Sequence, residues 1–245
     1  SEMCIRDSAY TVIYILNTFA SGINFNITGN YIGGSAPLAT GTWTKGGSFD
    51  NAFTGIYINS FRPATPATPN GSLLSNTIRN ITWSNSGSAT WTGIQIQGGM
   101  TNVGGPGTGE GNIIGEPTGP INLTAGVNGA IFYGINDASV SNMPVQRLIQ
   151  GNSIGSITTS GAAFSIYGIS KTANVGPIRA IGNTISNLSA AASPAGAIEQ
   201  NVQGIRYNNL TGGIARIENN TIESLSNGTT QVANNLSKVS GVWIR

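Results

Sequence analysis

Past residue 8, seven carboxylates supply the acid–base and cation-binding capacity of this chain: Asp50, Glu110, Glu116, Asp137, Glu199, Glu218 and Glu223. Cleaving a glycosidic bond takes two such groups facing one bond, and holding calcium takes several around one ion. No two of the seven are adjacent or separated by a single residue. Only Glu218 and Glu223 share a stretch of chain, on either side of Asn219-Asn220, and they read as solvated surface charges. Convergence of distant segments is the remaining route to a paired site. The chain has no histidine and one cysteine, Cys4, which rules out a disulfide within the chain, Cys/His zinc clusters and imidazole catalysis. No catalytic residue, metal ligand or cofactor is assigned.

The most site-like feature is aromatic. Tyr133 and Tyr167 each immediately precede a recurring glycine, Gly134 and Gly168, at a position that strand alternation places on the outside. Two stacked, exposed rings would offer a platform to the apolar C–H faces of sugars, so Tyr133 and Tyr167 are candidate polysaccharide-binding residues. Other copies of the motif carry Ser21, Thr54, Thr92, Gln203 and Ser240 there, as a merely tolerant surface position would. Gly105-Pro106-Gly107-Thr108-Gly109-Glu110-Gly111 has the glycine content of a phosphate loop. It lacks the lysine and the following helix, and β-type Asn112-Ile113-Ile114 comes next.

The elements that would position these groups follow from two interleaved patterns. Asparagine is followed two residues later by isoleucine at Asn30, Asn76, Asn112, Asn152, Asn183 and Asn220, spaced 46, 36, 40, 31 and 37 residues apart. A second motif, an apolar residue two before a glycine with Ile or Val right after it, recurs at Gly22, Gly55, Gly93, Gly134, Gly168, Gly204 and Gly241. Such periods mean a solenoid or a propeller. The last full unit reads as three short strands: Gly204 to Tyr207, Gly213 to Ile217, and a segment entered at Thr221-Ile222 past an Asn219-Asn220 corner. Three strands per turn predict an all-β fold, a parallel β-helix solenoid of about six coils with loop insertions. Isoleucine outnumbers leucine 31 to 10, which favours strands, since branching at Cβ packs well on a pleated surface.

Asparagine suits the corner because it tolerates the left-handed conformation and can bond its equivalents in a ladder between coils about 4.8 Å apart. Glycine precedes it at Gly29, Gly111, Gly151 and Gly182, where a tight turn leaves little room for Cβ. The isoleucine two residues on points inward, as does Trp91. A leucine-rich repeat competes on the spacing Ile217-x-x-Asn220-x-Ile222-x-x-Leu225. Its period of roughly 20–29 residues is too short, and segments such as Ser186 to Gly196 lack a helical face. Loop insertions are expected at Arg62 to Asn70, Gly98 to Pro120 and Ser189 to Gly196, none of which interrupts the repeat.

Ser1 to Ser8 resemble a translated sequencing adapter and stand apart; residues 9 to 245 form one domain. Val12-Ile13-Tyr14-Ile15-Leu16 reads as a repeat strand rather than the core of a secretion signal. The net charge of +2 and 8% charged residues give no basic stripe for nucleic acid. No apolar run reaches the roughly 18 residues of a membrane helix.

Gly29-Asn30-Tyr31-Ile32-Gly33, Thr54-Gly55-Ile56-Tyr57-Ile58 and Gly111-Asn112-Ile113-Ile114 resemble the units of bacterial right-handed parallel β-helix repeat proteins. They are similar to the very large secreted or surface-attached proteins of Bacteroidota, over residues 9 to 245. The resemblance implies export, an extracellular or cell-surface location and an elongated stalk, with polysaccharide or surface components as partners. It implies no single activity. Because repeat-like sequence runs to both ends, the chain is expected to be a segment of a longer protein.

Overall fold

The computed structural model describes residues 8–17, 19, 25–61, 71–99, 101–139, 147–172, 178–191, 200–208, 215–228 and 237–245. The chain winds as a parallel β-helix of three sheets. The first sheet stacks Tyr10–Asn17, Phe53–Ser60, Trp91–Gly98, Ala130–Asp137, Phe164–Lys171, Asn201–Tyr207 and Lys238–Ile244 in sequence order. The second stacks Asn26–Thr28, Gly71–Leu74, Thr101–Val103, Arg147–Gln150, Ile178–Ile181 and Arg216–Glu218. In the third, each of the first three coils contributes two short strands. The last three contribute one each: Ser153–Gly161, Thr184–Ala190 and Thr221–Asn227. Six coils and one further strand result. Among the described residues the only helix is a single turn at Pro37–Ala39.

The asparagine ladder forms as predicted, through all six rungs. Asn30 Nδ2 donates to Asn76 Oδ1 at 2.8 Å, and the same bond runs on through Asn112, Asn152 and Asn183 to Asn220 at 2.8 to 2.9 Å. Each interior Oδ1 also accepts the backbone N–H of the preceding rung. The second Nδ2 proton of Asn76, Asn112, Asn152, Asn183 and Asn220 goes to a strand carbonyl one coil back. One side-chain type thus satisfies the polar groups that a tight corner would otherwise bury without partners.

At five of the six corners, however, the left-handed residue is the one before the asparagine, Gly111 being the exception. Positive φ falls on Gly29, Ser75, Gly151, Gly182 and Asn219, and on none of the six ladder asparagines. At Gly29 and Gly182 an added Cβ would meet nothing within 4 Å, so conformation and not space selects glycine there.

The two sequence patterns form one packing unit. A Cβ on Gly134 would lie 2.5 Å from the Gly168 carbonyl and 2.8 Å from Cγ2 of Ile154, the isoleucine of its own coil's Asn-x-Ile motif. Gly55, Gly93, Gly168 and Gly204 meet Ile78, Ile114, Ile185 and Ile222 in the same way. The strand ladder steps over the glycine, pairing Tyr133 with Tyr167 and then Ile135 with Ile169. Ile78, Ile114, Ile154 and Ile185 are essentially inaccessible, and burying each is worth roughly 1.5–3 kcal/mol. Trp91 is core as expected, stacked between Phe53 at 4.7 Å and Phe132 at 5.0 Å.

Tyr10–Asn17 is a strand paired along its length with Phe53–Ser60, in accord with its β-branched composition. The glycine-rich excursion is shorter than predicted. Thr101–Val103 and Ile113–Ile114, inside the expected Gly98 to Pro120 loop, are strands of the second and third sheets. Ile113–Ile114 agrees with the β-type reading of Asn112-Ile113-Ile114, whereas Thr101–Val103 is too short to show an alternation of its own. Residues 62–70 lie outside the described residues, as do Gly22, 192–199 and most of the adapter-like segment.

Candidate functional site

Tyr133 and Tyr167 are directly in register on neighbouring strands of the first sheet. Their rings stack as the spacing predicts, with centroids 5.4 Å apart and planes 27° from parallel. The open platform expected there is absent, because the residues are only 9% and 5% exposed. Alternation assigned the correct side of the sheet, but that side is itself covered: Thr92, Ser165, Asn201 and Gln203, also directed outward, are buried too. Arg206 contributes to the covering. Its guanidinium carbon sits 4.6 Å above the Tyr167 ring and 5.7 Å from that of Trp243. Burial pushes the Tyr133 hydroxyl pKa up, opposed by the charge and hydrogen bond of Arg206.

Beyond Tyr167 the face opens into a pocket of about 220 Å³. It is lined by Tyr167, Asn201, Gln203, Arg206, Lys238, Trp243 and Arg245. Three of these are cations and none is an acid. No known protein family, curated protein or solved structure matches this chain. Function must therefore be argued from the chemistry of its surfaces. A second, shallower groove of about 490 Å³ crosses the outer face of the third sheet among Ser156, Thr158, Asn187, Ser189, Ser224 and Ser226. It presents hydroxyls and an amide beside the apolar Pro120 and Leu225, without charge.

The sequence patterns gave no hint of a charged cluster in the core. Asp137 and Lys171 stand in register with each other, and Asp137 in register with Ile96, which in turn aligns with Ile58. Two ionisable groups thus replace isoleucines in an inward column. Arg147, at the first position of its second-sheet strand, points to the same corner. Asp137 Oδ2 accepts from Arg147 Nη1, and Oδ1 accepts from the Ser139 amide at 3.0 Å, the Ser139 hydroxyl at 2.6 Å and Lys171 Nζ at 3.4 Å. Lys171 also donates to the Ser139 carbonyl at 2.8 Å, and Arg147 to the Gly99 carbonyl at 2.5 Å. Burial would raise the Asp137 carboxyl, but Arg147, Lys171 and Ser139 together outweigh it and hold the group below the usual range. Burial lowers Lys171 against the pull of Asp137. The three charged side chains are 1 to 2% exposed, so the cluster is a lock between coils rather than a place for substrate. Aligning the repeats column by column would have exposed it.

The other acids are dispersed. Glu116 pairs with Arg79, Asp50 accepts from the Ala89 amide, and Glu218 pairs with Arg179 at 3.2 Å. Glu110 turns into its own glycine-rich loop and accepts the Gly107 amide at 2.8 Å, putting a carboxylate where a phosphate loop would need an anion's room. Glu223 is exposed, and Glu199 and Cys4 lie outside the described residues. Among the described residues no three acids, histidines or cysteines come together as a metal site. No helix there is long and apolar enough to cross a membrane.

Proposed function

We propose that this chain is part of a secreted or bacterial cell-surface stalk, a structural and adhesive β-helix that binds polysaccharide. The observation that carries the reading is the unbroken asparagine ladder. Six stacked rungs spend the repeat's most distinctive polar residue on cohesion between coils, which is what a long, axially uniform element needs. In a solenoid each coil stabilises its neighbour, so such a segment extends by about 4.8 Å per coil without a new core. The resemblance of the repeat units to those of secreted surface proteins supports the location. The aromatic and cationic pocket beside Tyr167 supports an adhesive role.

The competing function is a polysaccharide lyase or glycoside hydrolase of the same fold. Purified protein incubated with pectin, alginate and neutral glycans, with and without calcium, separates the two. The stalk reading expects retention on a glycan with no release of unsaturated or reducing-end products. Turnover of any of these polymers replaces it with the enzyme reading.

A further inference from the structure

The pocket beside Tyr167 has a chemistry that narrows its ligand. Among the described residues its lining includes the cations Arg206, Lys238 and Arg245 and no acidic side chain, a balance that favours an anion. Arg206 lies against the face of Tyr167, with its guanidinium carbon 4.6 Å from that ring's centroid and 5.7 Å from that of Trp243. Arg206 spends one donor on Tyr133, and the remaining in-plane N–H groups of a stacked guanidinium suit a carboxylate or a sulfate.

A second observation points to more than an anion. Gln203 is 3% exposed and lines the pocket, and its Oε1 has no hydrogen-bond partner among the described residues. A buried acceptor left without a donor is destabilising. A ligand hydroxyl supplies that donor, whereas a simple inorganic anion does not. Trp243 is half-buried and adds a flat apolar wall, suited to the C–H face of a ring. The room of about 220 Å³ is below the roughly 300–1,000 Å³ of a drug-sized site and suits one unit of a polymer that continues outside.

We infer that this pocket binds an acidic sugar residue, with Arg206 and Arg245 holding its carboxylate or sulfate, Trp243 its ring face and Gln203 one of its hydroxyls. The inference rests on the polysaccharide-binding reading above and names the class of glycan. A nucleic acid is the less suitable polyanion, since the chain's net charge of +2 and sparse cations make no extended basic track.

Affinity electrophoresis of the whole chain tests it, through gels containing polygalacturonate, dextran sulfate, neutral dextran or single-stranded oligothymidylate. Retardation is expected with one or both acidic glycans, and the pair of gels tells carboxylate from sulfate. Arg206→Gln and Trp243→Ala should each weaken the apparent affinity about tenfold or more. Lys238→Gln, at an exposed side chain, should weaken it less and covers the case in which the ring-face variants fail to fold. Arg216→Gln, a cation on the second sheet outside the pocket, should change nothing. Equal retardation of wild type and all pocket variants overturns the inference, as does equal retardation by oligothymidylate. Retardation in neutral dextran of the same strength overturns the acidic-sugar assignment while leaving glycan binding intact. Shortening of any polymer instead overturns the stalk reading itself.

Discussion

Replacing Asp137 by alanine should be the most damaging single change that touches no apolar side chain. The substitution removes the acceptor for Arg147, Lys171 and both Ser139 donors, and leaves two cations in side chains only 1 to 2% exposed. Breaking a buried pair by deleting one partner costs about 3–5 kcal/mol, and two stranded cations put this site at the upper end. For a chain of this length each kcal/mol moves the melting temperature by roughly 2–4 °C, so a fall of about 10 °C or more is expected. The informative comparison is the triple variant Asp137→Ile, Arg147→Met, Lys171→Ile, which restores the isoleucine column seen at Ile58 and Ile96. Apolar replacement of a whole buried ionic group is often neutral or stabilising by about 1–4 kcal/mol, so the triple variant should recover the loss. Urea unfolding gives the global number. Hydrogen exchange at the Ile135 and Ile169 amides reads the coils concerned, because a solenoid can open in parts. A cost below about 1 kcal/mol for Asp137→Ala, or a triple variant no better than the single one, would refute the argument.

The same cluster predicts a pH profile. Asp137 has a lowered folded pKa, so its contribution is present above the ordinary carboxylate range and is lost as pH falls through the folded value, below about pH 4. Lys171 is also lowered, so the unfolded chain binds the extra proton and stability should rise as pH climbs through its folded pKa, levelling off near the ordinary 10.5. Denaturant midpoints measured across pH should show that alkaline rise in wild type and not in Lys171→Met. In the ladder, Asn152→Ala strips donors or acceptors from Asn112, Val103 and Asn183 and should cost about 3 kcal/mol or more. The part-buried end rung Asn30→Ala should cost about 1 kcal/mol, and unfolding free energies compare the two. Gly134→Ala drives a Cβ to 2.5 Å from the Gly168 carbonyl and should cost about 1–3 kcal/mol. Gly46→Ala, with nothing within 4 Å, should be neutral in the same melt.

Much of the fold was legible because a solenoid repeats its instructions. Asn at the corner, Ile two residues on and Gly in the following strand recur at a solenoid-like period with three short strands per turn, and the local hydrogen-bond capacity of asparagine suits the ladder. The short strand at Thr101–Val103 was lost inside a glycine-rich stretch, since it takes its structure from neighbouring coils and not from its own composition. The candidate site was legible only in part. Spacing placed Tyr133 over Tyr167, a consequence of register, but their burial depends on what lies across the face, and Arg206 reaches them from a strand roughly forty residues further on.

By itself, the sequence determined the periodic part of this protein: the strand-rich coils, the inward isoleucines, the asparagine rungs and the absence of imidazole chemistry. Each of these follows from residue type and spacing along one turn. Only the tertiary structure decided what lies between turns. It set Asp137 on Lys171 in a column of isoleucines, shut the tyrosine pair away from water, and gathered Arg206, Lys238, Trp243 and Arg245 around one pocket. The contacts across turns join residues about thirty or more positions apart, whose meeting depends on the length of every coil between them and not on any local preference.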